Sequence, residues 1–304
     1  MRKTTLLLIT LTLLAVLLPL QTAAQDKSMK MAGPPKVLQI GREEVKPGKG
    51  AAHEKLEAAW SQALISAKYP TYYLAMTSAT GPNEVWFLTG FDSFTDWEKD
   101  AKSFENAPAL RAVSQKYTPQ ESEFLSQARN LVAKYRTDLS YRPEINLGEM
   151  RYFSVRTVKI RLGHDSEYTE LRKLMNGARE KANLDEHSVV YQVMSGTHNG
   201  TYLVFTPFRS AAEFEAVLGS TTTNQAYQDA MGDEGRQKFM DLLGKAVVSS
   251  EDTLFAFSPK MSSPSPTTVA ADPAYWQPKH GMTQKDTTAA NDSTPAAKIK
   301  PVKR

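Results

Sequence analysis

The side chains able to do chemistry in this chain are aromatic, carboxylate and imidazole groups. No thiol is among them, because the 304 residues include no cysteine. That removes disulfides, thiolate nucleophiles and Cys-ligated metals. His53 opens an apolar stripe, His53, Leu56, Trp60, Leu64 and Ala67, at helical steps of three and four. A titratable ring on an apolar face needs a partner or a function. Tyr73 and Trp86 fall in strand-like runs that follow, and Arg156, Tyr168 and Tyr191 hold comparable places further along. Together His53, Trp60, Tyr73, Trp86, Arg156, Tyr168 and Tyr191 are the expected pocket residues. His53, Tyr73 and Trp86 would surround a small planar ligand, and Arg156 would meet an anionic group. Ordinary core packing of the same aromatics is the competing expectation. Gln39, Glu43 and Arg156 are costly to bury alone, so they belong at a cavity or an exposed edge.

Other reaction patterns are missing. There is no G-x-S-x-G and no Ser-x-x-Lys, so no serine nucleophile is indicated. His164 and His198 fall in turns and His280 near the end, positions that favour solvent. No His-x-x-x-His or His-x-x-Glu pair stands on a predicted helix, so neither a metal centre nor a cofactor is expected. Gly48-Lys49-Gly50 invites a phosphate-loop reading, but position 43 is Glu where that loop needs Gly, and no Ser or Thr follows Lys49. The stretch reads as a turn between a strand and a helix.

The elements that must position these groups occur twice. Lys36–Leu56 has a counterpart in Arg151–Leu171, with Gly48 on Gly163. Phe91, Ser93 and Trp97 meet Phe208, Ser210 and Phe214 at one constant offset. Pro143 falls on Pro259. Each copy predicts a strand (Val37–Val45, Tyr152–Ile160), a Gly turn, an amphipathic helix and a hairpin. The second hairpin turns at Asn199-Gly200, the strongest short hairpin signal. Further helix follows, with Thr118-Pro119-Gln120-Glu121 read as a capped helix start. "TDLSYRP" and "TLFAFSP" are read as closing strands. The order is β-α-β-β-α-β with extra helix, the ferredoxin-like arrangement.

Two such repeats, each with a Gly turn after its first strand and F-x-S-x-x-[DE]-[WF] or a variant of it after its third, resemble the dimeric α/β-barrel superfamily. The nearest flavours are NIPSNAP-like and antibiotic-biosynthesis-monooxygenase-like domains. The resemblance covers roughly residues 34–259 and implies two four-stranded sheets closing into one barrel, both halves supplied by a pseudo-dimeric chain or paired in a homodimer. Members include cofactor-free monooxygenases of aromatic polyketides, haem-degrading enzymes and chlorite dismutase-like haem proteins, so fold alone selects no function.

The ends set the expected compartment. Arg2 and Lys3, the apolar run Leu6–Leu18, and Thr22 and Ala24 before a cleavage point make residues 1–24 a secretory signal peptide. A periplasmic or secreted bacterial protein is therefore expected, with no membrane span after cleavage. Repeats at 34–145 and 148–259 follow, then a Pro-, Ser- and Thr-rich tail, 260–304, expected to be disordered, with Tyr275-Trp276 its one docking spot. The leader carries +2 and the tail +4, leaving −2 on residues 25–259, which argues against a nucleic-acid partner. The favoured function is small-molecule binding or protein interaction. A cofactor-independent monooxygenase acting on an aromatic or planar substrate is the alternative.

Overall fold

Period-two alternation sorts the strands' side chains onto two faces. On β1 (Val37–Val45), Leu38 and Ile40 enter one buried cluster while Val45 enters another. The computed structural model describes residues 33–223 and 225–277; the expected leader at 1–24 and the tail beyond Gln277 lie outside the described residues. After β1 come α1 (Gly50–Ser66), β2 (Tyr73–Ser78), β3 (Glu84–Phe91), α2 (Phe94–Asn106), α3 (Pro108–Glu121) and β4 (Leu125–Tyr135). Then follow β5 (Tyr152–Ile160), α4 (Asp165–Lys181), β6 (Val189–Ser195), β7 (Thr201–Phe208), α5 (Ala211–Thr223), α6 (Gln225–Ala246) and β8 (Val247–Ser263). Two short helices, α7 (Pro266–Ala271) and α8 (Pro273–Trp276), end the described chain.

The strands form one closed antiparallel barrel in the order β1-β3-β2-β8-β5-β7-β6-β4. Each half therefore contributes a sheet ordered 4-1-3-2, and the sheets join at β2–β8 and β4–β6. Every strand sends residues into a shared interior, among them Ile40, Met76, Trp86, Leu131, Val155, Tyr191, Leu203 and Phe255. The helices lie on the outer face. α4 and α6 cover the second sheet over Val158, Ile160, Tyr168, Leu171, Tyr202 and Leu242. The layer over the first sheet is thinner: its cluster is Val45, Ala75, Val85 and Met261. α2 buries none of its residues and α3 only Leu110. That loose layer leaves room for a cavity.

Gly48 has φ 77°, the left-handed conformation that lets the chain leave β1 and enter α1 at once, so this stretch is a turn. Three expectations are corrected. Thr118–Glu121 is the last turn of α3, whose start is set by Pro108 in its first turn; Pro119, lacking an N–H, stands three residues before Ser122 caps the helix. The strand closing the first half is Leu125–Tyr135, and Thr137–Leu139 is a 3₁₀ turn. The chain from Lys260 to Gln277 is ordered. β8 runs on to Ser263, and two helices follow, capped where Ser265 and Asp272 accept the N–H of Thr268 and Tyr275, each at 3.1 Å. Ser-Pro and Asp-Pro supplied a cap and a first helical residue there, a signal that bulk composition hides. Trp276, 3% exposed, seats at the barrel end beside Phe257 and donates its Nε1–H to Gly148 O at 2.7 Å.

Candidate functional site

The outward face of β1 presents Gln39, Gly41 and Glu43 to the underside of α1. α1 returns His53, Glu57, Trp60 and Leu64 on one face, at helical steps of four, three and four. β2 adds Tyr73, β3 Phe87 and Thr89, α2 Trp97, Asp100 and Phe104, and the end of α3 Glu121. All of these groups but His53, which lies behind Glu43, line a cavity of about 470 Å³ between the first sheet and its helices. Among the described residues five carboxylates line it, at Glu43, Glu57, Asp100, Glu105 and Glu121, and no lysine or arginine does.

The floor is a buried hydrogen-bonded cluster. His53 is 1% exposed and its Nε2 lies 2.7 Å from Glu43 Oε2. Glu121 lines the same cavity and acts on both Glu43 and His53. Burial lowers the His53 pKa, against the pull of the Glu121 charge, so the ring tends to neutrality. Burial raises the Glu43 carboxyl, opposed by the Glu121 hydrogen bond. Glu121 is pushed up to about 8 by burial and by its contact with Glu43. Glu57, 7% exposed, is pushed up to about 9, by burial first and then by the charges of Glu43 and Glu121. Among the described residues Glu57 has no hydrogen-bonding or ion-pairing partner. The Tyr73 hydroxyl is buried without a partner and its pKa is raised, by burial and then by the Glu57 charge. The floor therefore stores protons at neutral pH and offers both donors and acceptors to the cavity. The walls are flat: Trp60 stacks at 6.3 Å on Phe104 and meets Tyr117 edge-on at 6.2 Å, while Tyr73 packs against Phe87 at 6.0 Å. Trp97 Nε1 donates to Gln39 Oε1 at 2.6 Å, which gives that polar strand residue its partner.

His53, Trp60 and Tyr73 are thus brought to one place, and the remaining expected residues are not. Trp86 pairs in register with Met76 and points into the barrel, where its Nε1–H donates to Glu84 at 2.7 Å under the Arg42 guanidinium. Tyr191 also faces the interior and donates its hydroxyl to Pro35 O at 3.0 Å. The expected grouping of His53, Tyr73 and Trp86 fails because Tyr73 and Trp86 stand on opposite faces of one sheet. Tyr168 and Arg156 sit on the second half. Tyr168 packs on Tyr202 at 4.6 Å with its hydroxyl unpartnered. Arg156 pairs with Asp252 at 2.9 Å on the rim of a second cavity, of about 590 Å³. That cavity carries Arg172, Arg179 and Arg236 as well, but Arg179 is paired with Glu186 and Arg236 with Asp233. Arg172 donates to Leu139 O at 3.1 Å and Ser188 Oγ at 3.3 Å and has no carboxylate partner among the described residues. The chemistry is placed in the smaller cavity because carboxylates, His53, Trp60 and Tyr73 come together there.

Glu57 and Glu121 were missed from the sequence. Glu57 lies four residues after His53, a spacing that stacks two groups on one helical face. A search for His pairs and His-x-x-Glu passes over it. Glu121 was read as a capping residue at a helix start, whereas it ends α3 beside Glu43.

No family model matches the sequence, and neither does any curated protein. Solved structures with a similar backbone course include an anthrone oxidase-like protein (14% identity, 73% of this chain, 91% of that chain, TM-score 0.49). Chlorite dismutase from Candidatus Nitrospira defluvii is another (11% identity, 76% of this chain, 94% of that chain, TM-score 0.41). A NIPSNAP family protein from Agrobacterium tumefaciens matches over a shorter stretch (14% identity, 35% of this chain, 90% of that chain, TM-score 0.29). By its own strand order and closure, the chain has a fold of the dimeric α/β-barrel type, in which one polypeptide supplies all eight strands of the barrel.

Proposed function

We propose that this is an exported small-molecule-binding protein whose ligand occupies the cavity between the first sheet and α1–α3. The observation that carries the reading is the combination of flat walls at Trp60 and Phe104 with a polar floor at Glu57, Glu121 and Tyr73 that its own neighbours leave partly unsatisfied. A cavity of about 470 Å³ suits a molecule of a few hundred daltons. Stacked aromatics favour a planar body. Protonated carboxyls at the floor favour hydrogen-bond acceptors at the ligand's inner end. Export rests on the leader pattern at 1–24, and the recurrence of one element order supports a duplicated ancestor.

Native mass spectrometry of the intact chain, taken from the cells that make it, tests the reading. A retained mass of a few hundred daltons that is lost on Trp60→Ala is expected. A bare chain that also fails to take up planar aromatic compounds would sink it. The second reading is a monooxygenase-like reaction on an aromatic substrate. It is favoured by the proton-exchanging Glu43–His53 pair beside the stacked walls. Oxygen uptake with the recovered ligand, abolished in His53→Ala, would support it; an unchanged rate removes His53 from the reaction.

A further inference from the structure

The floor of this cavity has the composition of a cation site rather than of a proton network alone. One ligating atom each from Glu43, His53 and Glu57 lies within 4.8 Å of the other two. The set mixes two carboxylates with an imidazole, donors that suit first-row divalent ions. The feature that asks for an ion is Glu57, a carboxyl 7% exposed, aimed at the other two and left without a partner. A second is the Tyr73 hydroxyl, buried beside it and without a hydrogen-bond partner among the described residues. Buried polar atoms in native proteins are nearly always satisfied, so this orphan, next to a carboxyl that opens on the cavity, marks a missing partner. Among the described residues no lysine or arginine lines the cavity to supply it.

We propose that Glu43, His53 and Glu57 bind a divalent metal ion of the zinc class, with one coordination position left open toward Trp60 and Tyr73. Donor atoms about 2.1 Å from a tetrahedral ion stand about 3.4 Å apart. The separations here bracket that value, from 2.7 Å between His53 and Glu43 up to the 4.8 Å limit of the set. Glu43 and Glu57 line the cavity while His53 stands behind them, so the open side faces the cavity. Three protein donors and one open position are the pattern of sites that activate a bound water or ligand. The inference goes beyond the ligand-binding reading and does not depend on it.

Calorimetry of the intact chain, stripped with EDTA and titrated with zinc chloride, is the test, with magnesium chloride as control. One tight site per chain for zinc and none for magnesium is expected. Glu57→Gln and His53→Asn should each weaken zinc binding by at least about tenfold, while His187→Asn leaves it unchanged. Cobalt(II) should give the visible ligand-field absorption of a four- or five-coordinate ion. Should either variant fail to fold, the imidazole NMR signals of the unmodified protein decide: zinc should shift one of five histidines, the buried one. Absence of stoichiometric zinc binding, binding untouched by both variants, or shifts confined to the other histidines would overturn the proposal. A bound organic mass without zinc binding would defeat this inference alone.

Discussion

Glu57 changes protonation when the chain folds. Unfolded, its carboxyl titrates near 4.5; folded, near 9. Between those values the folded protein holds a proton that the unfolded chain has released. Stability contributed by the protonated form is complete below pH 4.5 and is lost as pH rises through 9. Glu121 adds a second loss that runs to about pH 8. The slope is at most about 1.4 kcal/mol per pH unit for each proton, or roughly 3–6 °C in Tm for a fold of this size. In metal-free protein, Glu57→Gln should therefore flatten the fall of Tm between pH 6 and 9 and leave the pH 5 value nearly unchanged. Melts across that range check it; an unaltered slope would place the proton elsewhere. The same helical position on the second half is Arg172, which is also buried and lines the larger cavity. One residue pair thus shows the divergence: an acidic group faces the cavity under the first half's helix and a basic group the cavity under the second's.

At the scale of elements, what could be read from the sequence was whatever a local period encodes. The two hairpins, β1 and β5, and the stripe on α1 followed from alternation and helical spacing. The face of each strand that turns inward did not, because a barrel buries both faces and both faces of β3 are apolar; that is why Trp86 was grouped with Tyr73. Glu121 was misplaced for a different reason: Pro119 suits a first turn, yet it also ends a helix, and only packing decides between them. The C-terminal helices were hidden by composition, although Ser265-Pro266 and Asp272-Pro273 carried cap chemistry. They hold the barrel end. Tyr275 donates to Phe257 O at 3.0 Å, Arg151 lies 3.9 Å over its ring and pairs with Asp272, and Trp276 plugs the interior. Trp276→Ala should cost about 3–5 kcal/mol, a fall of roughly 6–20 °C in Tm. A melt unchanged within 2 °C, on the same scale of about 2–4 °C per kcal/mol, would mean this segment only decorates the barrel.

At the scale of the molecule, closure within one chain leaves no sheet edge, so neither half needs a second copy to satisfy its backbone. The joins between halves are the weaker places. Pairing is regular through β1–β3 and β5–β7, whereas register shifts interrupt both seams, between Tyr73 and Ala75 on β2 and between Val132 and Ala133 on β4. Gly196 sits just past the β4–β6 seam with φ 97°, and a Cβ there would stand 2.1 Å from Asn130 O and 2.9 Å from Leu131 Cα. Both contacts are backbone, so no side chain can swing aside to relieve them. Gly196→Ala must therefore push β6 away from β4 or adopt another turn, at a cost of about 2–4 kcal/mol. Because the strain falls on the seam, its signature is local. Amide exchange at Val132–Tyr135 and Val193–Ser195 should speed by tenfold or more, each tenfold being about 1.4 kcal/mol of opening, while β1–β3 and β5–β7 keep their protection. Loss of protection spread evenly over all eight strands would show that the barrel opens as one unit and that the two halves have no boundary between them.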